Sequence, residues 1–144
     1  MPRPFPILLP PPTEAMAVAY FAPLLNPIPV GTRVPKPEPL REMLDGYLRV
    51  EAGGGYQNDD EIMWDVSVIL HAYSEDEETA ESIIQTAVAY GGAAEGVPIT
   101  AGGRDWYVSW AQPRALPSRA DDPDIPNYPR YRAMVSWRVR PNVL

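Results

Sequence analysis

The strongest pattern in the sequence is an alternation of apolar and polar positions between residues 61 and 73. Apolar side chains occupy every second position, at Ile62, Trp64, Val66, Val68, Leu70 and Ala72. The positions between them include Asp65, Ser67 and His71. A period of two is typical of a β-strand with one buried face. The pattern therefore predicts a long strand in a sheet that packs on the core with one side.

Further segments are predicted to be strands by the same rule. The segment YLRVEA alternates, and Gly53, Gly54 and Gly55 are expected to end it, which leaves a hairpin loop of about eight or nine residues before the long strand. The segments VPIT and DWYVSWA around the turn AGGR predict a second hairpin, and residues 131–140 predict a final strand. In IPVGTRVPKP the prolines allow only a short edge strand.

A first helix is predicted from Thr13 to about residue 26. Thr13 is expected to cap it, and Pro23 is expected to kink or end it. Two apolar stripes predict burial on more than one side of this helix. One stripe consists of Met16, Ala19, Tyr20 and Leu24, and the other of Ala15, Val18, Ala22 and Leu25.

A second helix is predicted to begin at Ser74. Ser74 and Glu77 match a capping box, and Gly91–Gly92 is expected to end the helix. Its apolar stripe consists of Ala80, Ile83, Ile84, Ala87 and Val88.

This order of elements predicts an α+β fold. We expect a mostly antiparallel or mixed sheet of four to five strands with two helices packed on one face. The length of 144 residues suits one domain, placed at 13–144. Of the 19 prolines, six lie in residues 1–12, which are predicted to be an extended N-terminal arm, either an ordinary loop or a stiff arm that reaches a neighbouring subunit. The last proline cluster predicts a long loop at 117–129.

Composition disfavours most chemical functions. The chain has no cysteine, which excludes a disulfide framework and a cysteine-ligated metal. Its single histidine, His71, has no companion ligands, and the acidic run at 59–61 lacks the spacing of a calcium loop. The glycines of AGGGY precede a strand and not a helix, so they do not predict a phosphate-binding loop. We therefore predict no enzyme activity, no metal and no cofactor.

Charge limits the partners. The formal net charge of −7 disfavours non-specific attraction to DNA or to anionic membranes. No apolar run approaches 18 residues, and prolines interrupt the apolar N-terminus, so we expect neither a membrane span nor a signal peptide. Against this acidic background, four arginines lie on or beside the last strand: Arg130, Arg132, Arg138 and Arg140. They form either a solvated strand face or a basic edge that meets acids on a neighbouring copy.

The ordered set of segments resembles the tail terminator proteins of long-tailed bacteriophages, in particular those that infect actinobacteria. The matching pieces are a capped N-terminal helix, then IPVGTRVPKP, LRVEAGGG, HAYSEDEETAESI and DDPDIPNYPRYRAMVSWRVRP. No single motif is specific, but their order is. The resemblance covers residues 13–141, whereas the proline-rich N-terminus and the acids at 59–61 depart from the family's pattern.

The resemblance implies a structural virion protein, assembled in the host cytoplasm, that forms a homohexameric ring on the head-proximal end of the tail tube. Such a ring stops tube polymerisation and joins the tail to the head connector. Its partners are then copies of itself, the tail tube protein and the head-closure protein, and genomic DNA passes through it without sequence-specific binding. Two alternatives stay open: a head-closure protein of the same virion neck, and a soluble acidic DNA mimic that inhibits a DNA-binding enzyme.

Contacts with subunits, tube or connector are assigned to two loops and the last strand. Both loops are polar and longer than their connections require, and we expect them to order on assembly. The assigned residues are Gly53, Gly54, Gly55, Tyr56, Asp59 and Asp60 in the first loop, Asp121, Asp122 and Asp124 in the second, and Arg132, Arg138 and Arg140 on the strand.

Overall fold

The computed structural model describes residues 6–33, 46–58 and 62–144. These ranges contain two helices, α1 (Thr13–Leu25) and α2 (Glu77–Gly92). The strands, in chain order, are β1 (Leu8–Leu9), β2 (Val30–Gly31), β3 (Tyr47–Asn58), β4 (Met63–Tyr73), β5 (Pro98–Ala101), β6 (Arg104–Arg119), β7 (Arg130–Val139) and β8 (Asn142–Val143).

Six strands form one mixed sheet in the order β2-β3-β4-β7-β6-β5. The neighbouring pairs are antiparallel except at the edge, where the short strand β2 runs parallel to β3. β1 and β8 pair separately as a two-stranded ladder. The predicted α+β class with a mixed sheet is confirmed, and the main sheet is one strand larger than expected.

Both helices pack on the same face of the six-stranded sheet. Alternation along β4 places Val66, Val68, Leu70 and Ala72 in the core, as predicted. The predicted apolar stripe of α2 is also buried, and its Ile84 has no exposed surface. These residues belong to one continuous core, which also contains the buried tryptophans Trp106 and Trp137. The indole of Trp137 donates a hydrogen bond to the backbone oxygen of Gly91 at 2.9 Å, which ties β7 to the end of α2.

The start of α2 differs from the prediction. Asp76 is the N-cap, and its carboxylate accepts hydrogen bonds from the backbone N–H of Thr79 at 3.3 Å and from the Thr79 hydroxyl at 2.7 Å. Ser74 is fully buried, and its hydroxyl oxygen accepts the N–H of Asp76 at 3.2 Å. Aspartate is as good a cap as serine, and the prediction from the capping-box pattern considered Ser74 alone.

The start of α1 also differs. Thr13 is the first helical residue and Pro12 precedes it as a cap without a side-chain hydrogen bond, so the predicted threonine cap is wrong. Pro23 lies in the last turn, and the helix ends two residues later. One face of α1 is buried, and it consists of Met16, Ala17, Tyr20, Phe21 and Leu25. The prediction of two buried stripes is therefore wrong: Ala15 and Ala19 are exposed, and Leu24 is 40% exposed.

The triple glycine does not end β3. The strand continues to Asn58, which pairs with Met63 of β4, so the predicted loop of eight or nine residues is wrong. The register shifts between Ala52 and Gly55, which marks a β-bulge. A Cβ atom on Gly55 would lie 2.0 Å from the carbonyl oxygen of Asp65, so this position requires glycine. The glycines thus allow two strands to approach closely inside a long hairpin.

The proline cluster after β5 is partly strand. β6 reaches Arg119 and contains Pro113 and Pro117, so the predicted loop at 117–129 begins only at residue 120. β5 pairs with Arg104–Tyr107 alone. Beyond Val108 the strand has β7 on one side and no described strand on the other, which is where proline is tolerated in a sheet.

Candidate interaction surface

The face of the sheet opposite the helices, which we call the open face, carries the polar residues of each strand. Cross-strand pairing arranges them in rows. The rows are Arg49, His71 and Arg132; then Glu51, Ile69 and Met134; then Ser67 and Ser136; and then Asp65, Arg138 and Trp110. None of the described helices packs on this face, so it is available for contact with another molecule.

His71 and Glu51 form a polar contact between β3 and β4 on the open face. Nε2 of His71 lies 2.9 Å from Oε2 of Glu51, and the histidine is only 4% exposed. Burial lowers the pKa of His71, and the hydrogen bond with His71 lowers the pKa of Glu51. A neutral imidazole that donates its Nε2–H to the carboxylate satisfies both shifts. The pair joins β3 to β4 and is therefore structural.

A second polar contact, between Arg138 and Asp65, lies at the other end of the open face. Nε of Arg138 donates to Oδ1 of Asp65 at 2.8 Å, with both side chains largely buried. The guanidinium of Arg138 also lies 5.4 Å from the centre of the Trp110 ring, and that of Arg114 lies 5.5 Å from the same ring. Cations over an indole face are attracted by its quadrupole. Trp110 thus contacts two arginines beside a small depression of 110 Å³.

The acidic loop between β6 and β7 is tied to the domain. Asp122 is 8% exposed, and its carboxylate accepts the Tyr73 hydroxyl at 3.4 Å and lies 3.6 Å from Nη1 of Arg130. Asp121 pairs with Arg119 at 3.1 Å on the surface. These partners hold the loop against the end of β4. Within the described residues, Asp124 is the acid of this loop whose side chain makes no such contact.

The structure places the remaining predicted contact residues in two groups. Gly53, Gly54, Gly55 and Tyr56 lie on the projecting end of β3, where Tyr56 is 66% exposed, while Asp59 and Asp60 fall outside the described residues. Gly55 and Tyr56 meet Arg138 at the depression beside Trp110. Arg132 is exposed on the open face, and Arg140 is exposed over the ring of Tyr107 at 4.3 Å. Their role as contacts stays a prediction.

Two surface features were missed by the sequence reasoning. Leu116 on β6 is 76% exposed, more than any other large apolar side chain that the structure describes. A groove of 470 Å³ lies between α1 and α2, and Leu24, Ile28 and Ile83 line it. Leu116 stands inside a proline cluster without alternation, and Leu24 falls on a helical stripe that predicted burial. The sequence therefore carried no signal for the first and a misleading one for the second.

The described residues hold no group of three or more histidine, cysteine or acidic side chains that would suit a metal ion. Among the described helices, neither is long and apolar enough to cross a membrane.

Comparison with known proteins finds a likeness of fold. No family model matches the sequence, and no curated protein matches it. The fold is similar to that of a chain in the solved structure described as the virion of a native gene transfer agent particle. The two chains are 13% identical, with a TM-score of 0.52, and the match covers 90% of this chain and 97% of that chain. At this level of identity the comparison shows a shared fold over almost the whole of both chains.

Proposed function

We propose that this protein is a tail terminator: a virion protein that forms a ring on the head-proximal end of a phage-type tail tube, ends tube growth and receives the head connector. The observation that carries the proposal is the fold shared, over nearly its full length, with a chain of a gene transfer agent virion, which supports a structural virion protein. The finer assignment to a tail terminator comes from the ordered sequence resemblance.

The surfaces of the molecule support a role in contact. A ring of identical subunits needs a heterologous interface, in which one patch of a copy meets a different patch of the next. The chain offers such distinct patches, with exposed arginines such as Arg132 on the open face and the acids Glu75, Glu78 and Glu81 at the start of α2. Each copy has a formal charge of −7, so a ring of six copies carries −42 in total around the DNA path. A net negative ring lets a polyanion slide through instead of binding it.

The ring and its role are tested with purified components. The cognate tail tube protein is allowed to polymerise with and without this protein, and tube lengths are measured by electron microscopy. We expect short tubes that carry a hexameric ring at one end when the protein is present. Tubes of unchanged length with bare ends would refute the assignment.

The two alternatives predict different outcomes. A head-closure protein would bind heads and leave tube length unchanged in the same experiment. A DNA mimic would be a monomer or dimer and would bind a DNA-binding enzyme in place of its DNA. The structure weakens the mimic, because Asp65 and Asp122 are buried in pairs with arginines and do not add to an array of surface charge.

A further inference from the structure

The exposed leucine on β6 lies near two arginines that form no salt bridge with the described residues. Leu116 shares a shallow depression of 130 Å³ with Arg132 and Met134. Arg132 forms no salt bridge with the described residues, and Arg114, two positions before the leucine, contacts Ser136 and the Trp110 ring but no acid. An exposed apolar side chain with arginines beside it is typical of a residue that is buried at an interface with a charged rim.

The groove between the helices has the complementary composition. Its floor consists of the buried side chains Leu25 and Ile83, and Leu24 forms an exposed wall. Asp76 and Glu78 lie on its rim. Glu78 pairs with no described cation. The groove therefore combines apolar side chains and two acids with the hydroxyl-bearing residues Thr79, Ser82, Thr86 and Tyr90, and its volume of 470 Å³ accommodates a leucine with its neighbouring residues.

The two features share no lining residue. Leu116 is on β6, near one edge of the sheet order, three residues before Arg119, which pairs with Glu77 of α2 at 2.8 Å. The groove extends toward β3, since its residues Ile28 and Ile83 both approach Gly46, which immediately precedes β3. Leu116 of one copy can therefore occupy the groove of the next copy. Each copy still has its own groove and its own leucine for a further neighbour, so the contact can repeat around a ring.

Backbone pairing between copies is disfavoured at the same edge. Pro113 and Pro117 lie on the exposed stretch of β6, and proline has no N–H to donate to an incoming strand. Copies that meet at this edge must therefore contact one another through side chains, of which Leu116 projects furthest into solvent.

We propose that Leu116 of one copy inserts into the groove between α1 and α2 of the next copy, with Arg114 and Arg132 facing the acidic rim at Asp76 and Glu78. This inference rests on the ring of the proposed function and assigns its subunit interface. Opposite charges on the two sides set the orientation and exclude the reverse contact. Raising the salt concentration should weaken the assembly, because the rim charges are exposed.

Two single variants test the interface from its two sides. Leu116→Asp damages the inserted side chain, and Leu24→Asp places a charge on the groove wall. We expect each to raise the concentration for half-maximal ring formation at least about tenfold, measured by sedimentation alone and on tail tubes. Leu144→Asp is the matched control, since Leu144 is 69% exposed away from both features, and it should assemble normally.

Mixing the two defective variants gives the decisive result. The Leu116→Asp protein keeps an intact groove and the Leu24→Asp protein keeps an intact leucine. A mixture therefore makes one good interface and should yield a 1:1 heterodimer, which also shows that both variants are folded. Reversing the rim charge with Glu78→Arg should weaken assembly, whereas Glu95→Arg, after the end of α2, should not.

The results of these experiments test the assigned interface and the proposed function separately. If wild-type protein forms rings but Leu116→Asp assembles equally well, or if the mixture gives no heterodimer, the assigned interface is wrong and the terminator role stands. If the wild-type protein forms no ring in solution or on tubes, the proposed function falls and the interface falls with it.

Discussion

For the ion pair of Arg138 and Asp65 at the end of the open face, we predict that replacing both residues destabilises the fold less than replacing Arg138 alone. Arg138 on β7 and Asp65 on β4 are cross-strand neighbours, joined at 2.8 Å, and their side chains are 27% and 12% exposed. Arg138→Met keeps much of the apolar stem but removes the charge. The carboxylate of Asp65 then stays largely buried, with the amide of Asn58 at 3.5 Å as its remaining neighbour among the described residues.

The magnitude follows from the burial of the two partners. Breaking a fully buried pair costs about 3–5 kcal/mol. Asp65 keeps some access to water, which lowers this to about 2–3 kcal/mol, and the lost contact of Arg138 with Trp110 adds about 0.5–1 kcal/mol. We therefore expect Arg138→Met to lower the free energy of unfolding by about 3 kcal/mol. Asp65→Asn in that background removes the stranded charge and should restore about 1–2 kcal/mol.

Urea unfolding of the wild type, both single variants and the double variant measures this cycle. Arg140→Met is the control, because Arg140 is exposed and forms no salt bridge with an acid that the structure describes, and its cost should stay below about 1 kcal/mol. A double variant that is less stable than Arg138→Met would refute the reasoning, since the two residues would then contribute independently.

Three further predictions concern stability. Ile84→Ala should cost about 2–5 kcal/mol because Ile84 is fully buried, whereas Ile62→Ala, at 55% exposure, should change the free energy of unfolding by less than about 0.5 kcal/mol; equal effects would contradict the assigned core. Asp76→Ala should cost about 1 kcal/mol through loss of the cap to Thr79, and unchanged denaturant midpoints would argue against that cap. The folded chain holds the pKa of His71 below its ordinary value, so the unfolded chain binds more protons near pH 6. The free energy of unfolding should therefore fall as the pH drops from 8 to 5.5. His71→Phe should flatten this pH dependence, and a dependence that persists in the variant would assign it to other groups.

Alternation predicted the central strands correctly because each has one face in the core. The pattern of β4 and β7 in the sequence is the pattern of burial in the fold, and the stripe of α2 follows the same logic. Where one residue type serves two purposes, the prediction failed. Glycine ends strands, but it also permits the close approach at Gly55, and proline ends strands, but it also suits the free edge of β6.

The candidate surface was less accessible to sequence reasoning. The arginines of β7 were located on the open face, yet their partners come from distant parts of the chain, as with Asp65 and Arg138. The sequence predicted that Asp122 is an acid of a polar contact loop. In the structure it is buried and accepts the Tyr73 hydroxyl, because the loop folds back on the sheet. Exposure of Leu24 and Leu116 depends on how the elements pack, and local composition does not encode it.

The ladder of β1 and β8 has a consequence for the dynamics of the chain. It joins Leu8–Leu9 to Asn142–Val143 outside the six-stranded sheet, and the N–H of Leu144 donates to the backbone oxygen of Ile7 at 2.9 Å. Two residue pairs without further strands are marginally stable, so this ladder opens at a small free energy while the main sheet stays closed. Amide hydrogen exchange at Leu144 therefore reports the local release of residues 6–12, whereas exchange at Leu70, in the middle of β4, reports unfolding of the whole domain.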